Sequence, residues 1–358
     1  MSRFIRAFSL PLFVMLIGTS LHAQVQTGTP AFASFGGGPD TVNLANLNAH
    51  VSIPVLHKAG RGTDFTYDLS YDSAVWYPAT SGSTKSWQPV SNFGWRGITE
   101  IATGYISFNY WTAKCEGDDL KLHPYYVWDT WVYHDAFGTN HRFPNAILVQ
   151  DTWSCSLYNQ QTDDTAVDGS GYSINIISKI KATVYKSNGQ AVTAPINGQS
   201  GAASYTDRNG NQITVDSSGN FYDTVSTATA VLAVSGLGTP ASPTKFTYLT
   251  STGGSTYYQM NYTNYTVATN FGVSGISEYK SSAAVPLITS IVLPDNSQYS
   301  FTYEATPSTP SSGACTPYSG TTCVTGRVTQ ITLPPVARSL TPIRAETTAF
   351  CLTAALPP

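Results

Sequence analysis

The chain has 358 residues and a formal net charge of −3, and only 11% of its side chains are charged, against roughly 25% in ordinary globular domains. It has no basic face to displace phosphate counterions, which excludes nucleic acid as a partner class. Gly 29, Pro 21 and Tyr 22, with 12% aromatics, point to strands and tight turns rather than to disorder.

Residues 1–23 read as a secretory signal peptide. Arg3 and Arg6 make a basic start, an apolar stretch covers 8–18, and Ala23 precedes an expected cut before Gln24. The apolar stretch is shorter than the ~20 residues of a membrane span. The expectation is a secreted or surface-located protein with no span after cleavage. Export favours disulfides. The five cysteines are Cys115, Cys155, Cys315, Cys323 and Cys351. Local loop closure pairs Cys115 with Cys155 and Cys315 with Cys323, although four cysteines permit three pairings. No Cys-x-x-Cys pair supports a zinc site.

An aromatic-rich β domain is expected over 24–165. In "TDFTYDLSYDS", Phe65, Tyr67, Leu69 and Tyr71 share one face and Thr66, Asp68, Ser70 and Asp72 the other, the period of a half-buried strand. "YYVWDTWVYHDAFGTNHRF" gives two strands around a turn at 135–138. A β-hairpin domain follows over 166–285. There "ATVYKSNGQAVT" sets Asn188-Gly189 between alternating runs, a hairpin signal. In "SYTDRNGNQITVDSSGNFYDT", Asn209-Gly210 turns into a strand over 212–215, and Ser218-Gly219-Asn220 turns out of it. Small polar residues make loops of 194–203 and 306–322. The fold class is all-β: antiparallel strands and hairpins, a sandwich-like entry region leading into a repeat sheet.

The repeat units occupy 286–334. "LITSIVLPDNSQYSFTYE" starts at Leu287 and "RVTQITLP" at Arg327; both carry Thr third, Ile fifth and a closing Leu-Pro. The second copy then breaks. The tail 335–358 has no Gly and no Tyr. Loss of one base near the Pro334 codon accounts for this break, because the shifted frame admits a turn and an aromatic alternating strand where a full repeat would place them. On that expectation the tail is out of frame and Cys351 is accidental.

These units, with "GRVTQITLP" and "YTDRNGNQITVDSSGNFYDT", resemble the YD-repeat, or RHS-repeat, family. Tyr299, Phe301 and Tyr303 match its aromatic strand. "FTYDLSYDSAVWYP" and the following "GWRG" resemble the entry region of large secreted proteins of that kind. The resemblance implies the leading segment before a repeat array, in a family whose sheets wind into a hollow β-shell that encloses a toxin or presents an adhesive surface. The partner it implies is a downstream array or another surface.

Chemistry-bearing clusters are few. His134, Asp135 and His141 lie close in a hairpin, but a zinc site wants three or four convergent ligands, so a turn Asp and two cross-strand polar residues are expected. Glu116, Asp118 and Asp119 read as a solvated loop. Asp207, Asn209 and Asn211 alternate as calcium ligands do, yet Gly210 stands fourth rather than sixth and the closing Glu is absent. The expected alternative is a two-residue Asn-Gly turn. All seven tryptophans precede residue 154. Trp128 and Trp131, three apart, should face opposite sides of a regular strand, which makes them the candidate ligand-stacking pair for glycans. No Gly-x-Ser-x-Gly elbow, His-Glu-x-x-His helix or phosphate loop occurs, and no cofactor motif is found. The expected function is a non-catalytic secreted β-scaffold. A secreted carbohydrate-binding module is the alternative, and a secreted hydrolase ranks third.

Overall fold

The structure is a computed structural model that describes residues 34–36, 349–351 and 40–335, less 45, 61–62, 98, 152–159, 199 and 309–314. Its described residues are overwhelmingly antiparallel strand. An entry sheet is built from β1 (Ser34–Gly36), β2 (Asp40–Asn43), β3 (Ala49–Lys58) and β4 (Phe65–Asp72). A small hairpin, β5 (Trp76–Ser81) and β6 (Thr84–Pro89), leaves this sheet before β7 (Trp95–Arg96) completes it beside β4. One helical turn, α1 (Glu100–Thr103), follows. A second sheet centres on β9 (Leu122–His134), which pairs with β8 (Tyr105–Glu116), β10 (Asn140–Phe143) and β11 (Leu148–Asp151).

The remainder is one sheet of 14 strands in strict sequence order. It runs through β12 (Asp163–Thr165), β13 (Ser173–Ser178), β14 (Lys181–Tyr185), β15 (Ala191–Thr193), β16 (Ala203–Thr206), β17 (Gln212–Val215) and β18 (Asn220–Asp223). It continues through β19 (Leu232–Ser235), β20 (Thr244–Leu249), β21 (Ser255–Val267), β22 (Val285–Val292), β23 (Gln298–Ala305), β24 (Cys323–Thr332) and β25 (Ala349–Cys351). A meander of this kind needs only short turns. Near its end the sheet closes on itself, because β24 also pairs parallel to β21 through Thr266–Cys323 and Val267–Val324.

Alternation explains how the sheets stack. Phe65, Tyr67, Leu69 and Tyr71 project from β4 into a core shared with Phe221, Phe246, Met260, Ile291, Phe301 and Val328 of the long sheet. Tyr67 meets Phe221 edge-on at 5.1 Å. Buried hydroxyls are partnered, as an apolar interior demands. Tyr67 Oη donates to Gly97 O at 2.7 Å and Tyr71 Oη accepts the Val328 N–H at 2.8 Å. The second sheet packs its own core, with Ile106, Trp131, Tyr133 and Phe143 against Ile174, Val184 and Val192 of the long sheet. The long sheet is thus a wall with a smaller sheet seated against each end.

The turns differ from the expected two-residue form. Thr206 pairs with Gln212 and Val215 with Phe221, leaving three-residue loops after Asp207 and after Asp216. In each loop the glycine, Gly210 or Gly219, holds φ 81 and donates its N–H to the Asp carbonyl. This is a type I turn closed by a left-handed residue. In these two loops the Asp side chain adds to it. Asp207 Oδ1 accepts the N–H groups of Asn209 and Asn211 at 2.8 and 2.9 Å, and Asp216 Oδ1 accepts those of Ser218 and Asn220 at 2.8 and 3.0 Å. Asn188-Gly189 uses the same loop, with Gly189 N–H donating to Lys186 O.

Cys315 and Cys323 form a disulfide with a sequence separation of 8. Cys115 is disulfide-bonded, and Cys155 lies outside the described residues. The signal-peptide residues 1–23, and most of the tail, also lie outside them. Among the described residues no helix is long and apolar enough to cross a membrane.

Candidate functional site: a polar pocket where the sheets meet

The outward face of β3 and β4 carries His50, Ser52, Thr66, Asp68, Ser70 and Asp72, the polar positions of the period-two pattern. In a simple sandwich that face would meet water. Here the turn after β9, Lys186 just past β14, and the wall strands β16 and β17 border it, leaving an open cavity of about 490 Å³. Arg96 of β7 and Lys186 lie in its walls, and the largely exposed Phe137 stands at its rim.

A buried charge cluster underlies the pocket. Asp72 Oδ1 accepts from Asn48 Nδ2 at 2.7 Å and lies 3.0 Å from His50 Nδ1. Burial would raise the Asp72 pKa, but the hydrogen bonds from His50 and Asn48 and the nearby Arg96 outweigh it, so the carboxyl titrates below its ordinary value. Arg96 Nη1 donates to Ala136 O at 3.3 Å, and its Nη2 stands 3.7 Å from Asp72 Oδ2. Gly138 lies flat on the guanidinium, where a Cβ would come within 2.9 Å of Nη1.

Glu100, on α1, is 1% exposed. Neither carboxylate oxygen has a hydrogen-bond partner among the described residues, and the same holds for Nε and Nη2 of Arg96. Burial pushes the Glu100 pKa up to about 8, with Asp72 adding to the rise and Arg96 opposing it. The carboxyl therefore keeps its proton near neutrality, as a desolvated acid should.

The neighbouring histidines are structural in their contacts. His141 lies with Nδ1 2.6 Å from Asp168 and Nε2 3.5 Å from Asp135. Burial alone would lower its pKa; the two carboxylates outweigh this and raise it. His134 bonds Asn140 through Nδ1 and lies 2.8 Å from Ser107 Oγ through Nε2. Burial lowers its pKa to about 4, so it is neutral. Asp135 itself caps its turn, accepting the N–H groups of Phe137 and Thr139. Asp119 accepts from Lys121 N–H and lies 2.8 Å from His123 Nε2 in the β8–β9 hairpin. Among the described residues no group of three His, Cys, Asp or Glu side chains is arranged to hold a metal.

Trp128 and Trp131 require a correction. Both are buried, at 6% and 0% exposure, in one core. Thr130 takes φ 52, and between the pairs Asn109–Asp129 and Ser107–Val132 strand β9 carries one residue more than β8. That bulge returns Trp131 to the face of Trp128. Trp131 Nε1 donates to Trp128 O at 3.1 Å, so neither ring offers a free face to a sugar.

Chemically, the pocket offers His50, whose Nδ1 lies 3.0 Å from Asp72 Oδ1. Among the described residues no hydroxyl is bonded to its Nε2, and Ser52 and Ser70 of the same face pair with each other across β3 and β4. Sequence reading missed Arg96 and Glu100. Their signal was a lone Arg inside "GWRG" and a Glu beside an apolar turn, and neither pattern announces burial. No family model matches the chain, and no curated protein or solved structure matches it either.

Proposed function

We propose that the chain is a non-catalytic β-scaffold acting outside the cell or on its surface, the leading part of a YD/RHS-type shell whose wall is continued by further strands or covered by a surface partner. The observation that carries this reading is the single long sheet. Its strands follow in sequence order, and one three-residue turn closed by a left-handed residue recurs after Lys186, Asp207, Asp216, Thr250 and Leu293.

A second reading, contact with glycans, draws on the polar pocket. Asp64 and Asp68 beside the exposed Phe137 offer hydroxyl acceptors next to an apolar ring. The scaffold reading predicts no turnover when the purified protein is incubated with ester, peptide and glycoside substrates. Turnover that disappears in His50→Ala would overturn it. Binding on a glycan array that is lost in Phe137→Ala would establish the second reading.

A further inference from the structure

A second cavity, of about 470 Å³, lies between the segment before and through β7 and strands β19 to β22 of the wall. Its walls include Phe93, Trp95, Met260, Tyr262, Leu287 and Ile288, and among the described residues no charged side chain lines it. Protein interiors are packed to the density of organic crystals, so an apolar void of this size between two packed layers forfeits dispersion contacts. Its volume falls within the range of small-molecule sites.

Three features mark it as a site rather than a packing defect. The first is a hydroxyl pair in the wall: Thr244 Oγ1 and Tyr262 Oη lie 2.8 Å apart. Two hydroxyls bonded to each other use one proton, which leaves one O–H to donate. Where Thr244 donates to Tyr262, that remaining O–H is the phenol's and goes to the weakly accepting Met260 sulfur at 3.7 Å, a bond that a ligand oxygen can replace. Burial raises the Tyr262 pKa, keeping the phenol protonated.

The second feature is the mouth. Leu237 is 81% exposed at its edge, between Gly236 at φ 95 and Gly238 at φ 66. Gly236 is fixed by its surroundings, since a Cβ there would lie 2.0 Å from Pro243 O. The loop holds a large apolar side chain in water beside an apolar hollow. The third feature is the opposite lip. Asn92 and Phe93 both take left-handed φ, 51 and 50, a conformation costly to L-residues. The Phe93 ring is wedged against Gly326, where a Cβ would approach it to 2.6 Å.

We infer that this cavity binds an uncharged, largely apolar small molecule carrying one hydrogen-bond acceptor, with Leu237 covering the bound ligand and the Thr244–Tyr262 pair donating to its oxygen. The absence of charge from the lining selects against ionic ligands, whose desolvation nothing there would offset. The scaffold reading does not depend on this site.

Fluorescence titration with the neutral probe N-phenyl-1-naphthylamine tests it, with 2-decanone and the hydrocarbon decane as competitors. The expected result is saturable one-to-one binding of the probe, displaced by both competitors. Val234→Trp and Val285→Trp each fill the half-buried rim and should weaken the probe at least tenfold. Leu237→Ser should weaken it several-fold. The double variant Thr244→Val/Tyr262→Phe, which removes both hydroxyls, should weaken 2-decanone three- to tenfold relative to decane, the effect of one hydrogen bond. Thermal melts of each variant report folding, and Leu237→Ser, on an exposed loop, remains informative if the tryptophan variants do not fold. The inference is overturned if the wild-type chain does not bind the probe saturably, or if Leu237→Ser and the folded tryptophan variants bind it as the wild type does. It is equally overturned if the anionic probe 8-anilinonaphthalene-1-sulfonate competes with the neutral one at equal affinity.

Discussion

At the scale of single residues, the wall depends on who occupies the left-handed corner of each turn. Gly210 has open space beside it, with nothing within 4 Å of an added Cβ, so a substitution there meets only backbone strain. Gly210→Ala should lower unfolding free energy by about 1–2 kcal/mol. Gly210→Asn should lower it less, because Asn tolerates this region and Asn296 already holds φ 67 at the matching place between β22 and β23. Urea denaturation of the pair checks both. Glu100 makes a second prediction. Its folded pKa of about 8 lies above its ordinary 4.5, so the folded chain keeps a proton that the unfolded chain releases. Stability contributed by this group is full below about pH 4.5, falls as pH rises, and is lost above about pH 8. Glu100→Gln removes that slope. Melting temperatures should be similar near pH 4.5 and higher in the variant at pH 8.5; parallel curves would show that Glu100 does not titrate in this window.

At the scale of elements, the bulge in β9 decides what the tryptophans do. Thr130 is β-branched and sits at φ 52, a strained choice. Among the described residues its hydroxyl reaches the half-buried Asp129 side chain, at 3.0 Å. Thr130→Gly should keep the bulge and stabilise the fold by about 0.5 kcal/mol, the relief of strain exceeding the added freedom of the unfolded chain. A loss of stability would mean the threonine is required for another reason. The same element shows what sequence could and could not disclose. Alternation along 65–71 located β4 and its core face correctly, because a strand buried on one side leaves a period-two pattern. Spacing alone placed Trp128 and Trp131 on opposite faces, because a bulge changes the count without changing composition. The turns were located by Asp, Asn and Gly, but their three-residue length shows only in pairings such as Asp207 N–H to Asn211 O and Lys186 N–H to Gln190 O, which the dipeptide Asn-Gly does not encode. The pocket beneath the 135–138 turn was not legible at all. It exists because Lys186, β16 and β17 lie beside the polar face of β4, a contact between segments more than 100 residues apart.

At the scale of the whole molecule, one wall organises everything. The entry sheet fills its later strands and the second sheet its earlier ones, and cross-links such as Lys58 to Asp223 at 2.6 Å fasten the layers. The unit that recurs at Leu287 and Arg327 is a strand of this wall, and the scaffold reading holds that the wall is built to be extended strand by strand. The most direct test appends a copy of residues 295–304, the turn and aromatic strand that follow β22, after Pro334 in place of 335–358. Hydrogen exchange at Gln330, Ile331 and Thr332 is then compared with a chain stopped at Pro334. The account predicts that the graft pairs with β24 as β23 pairs with β22, slowing exchange at least tenfold at those of these amides that point away from β23 and raising the melting temperature. Equal exchange rates in the two chains would contradict it.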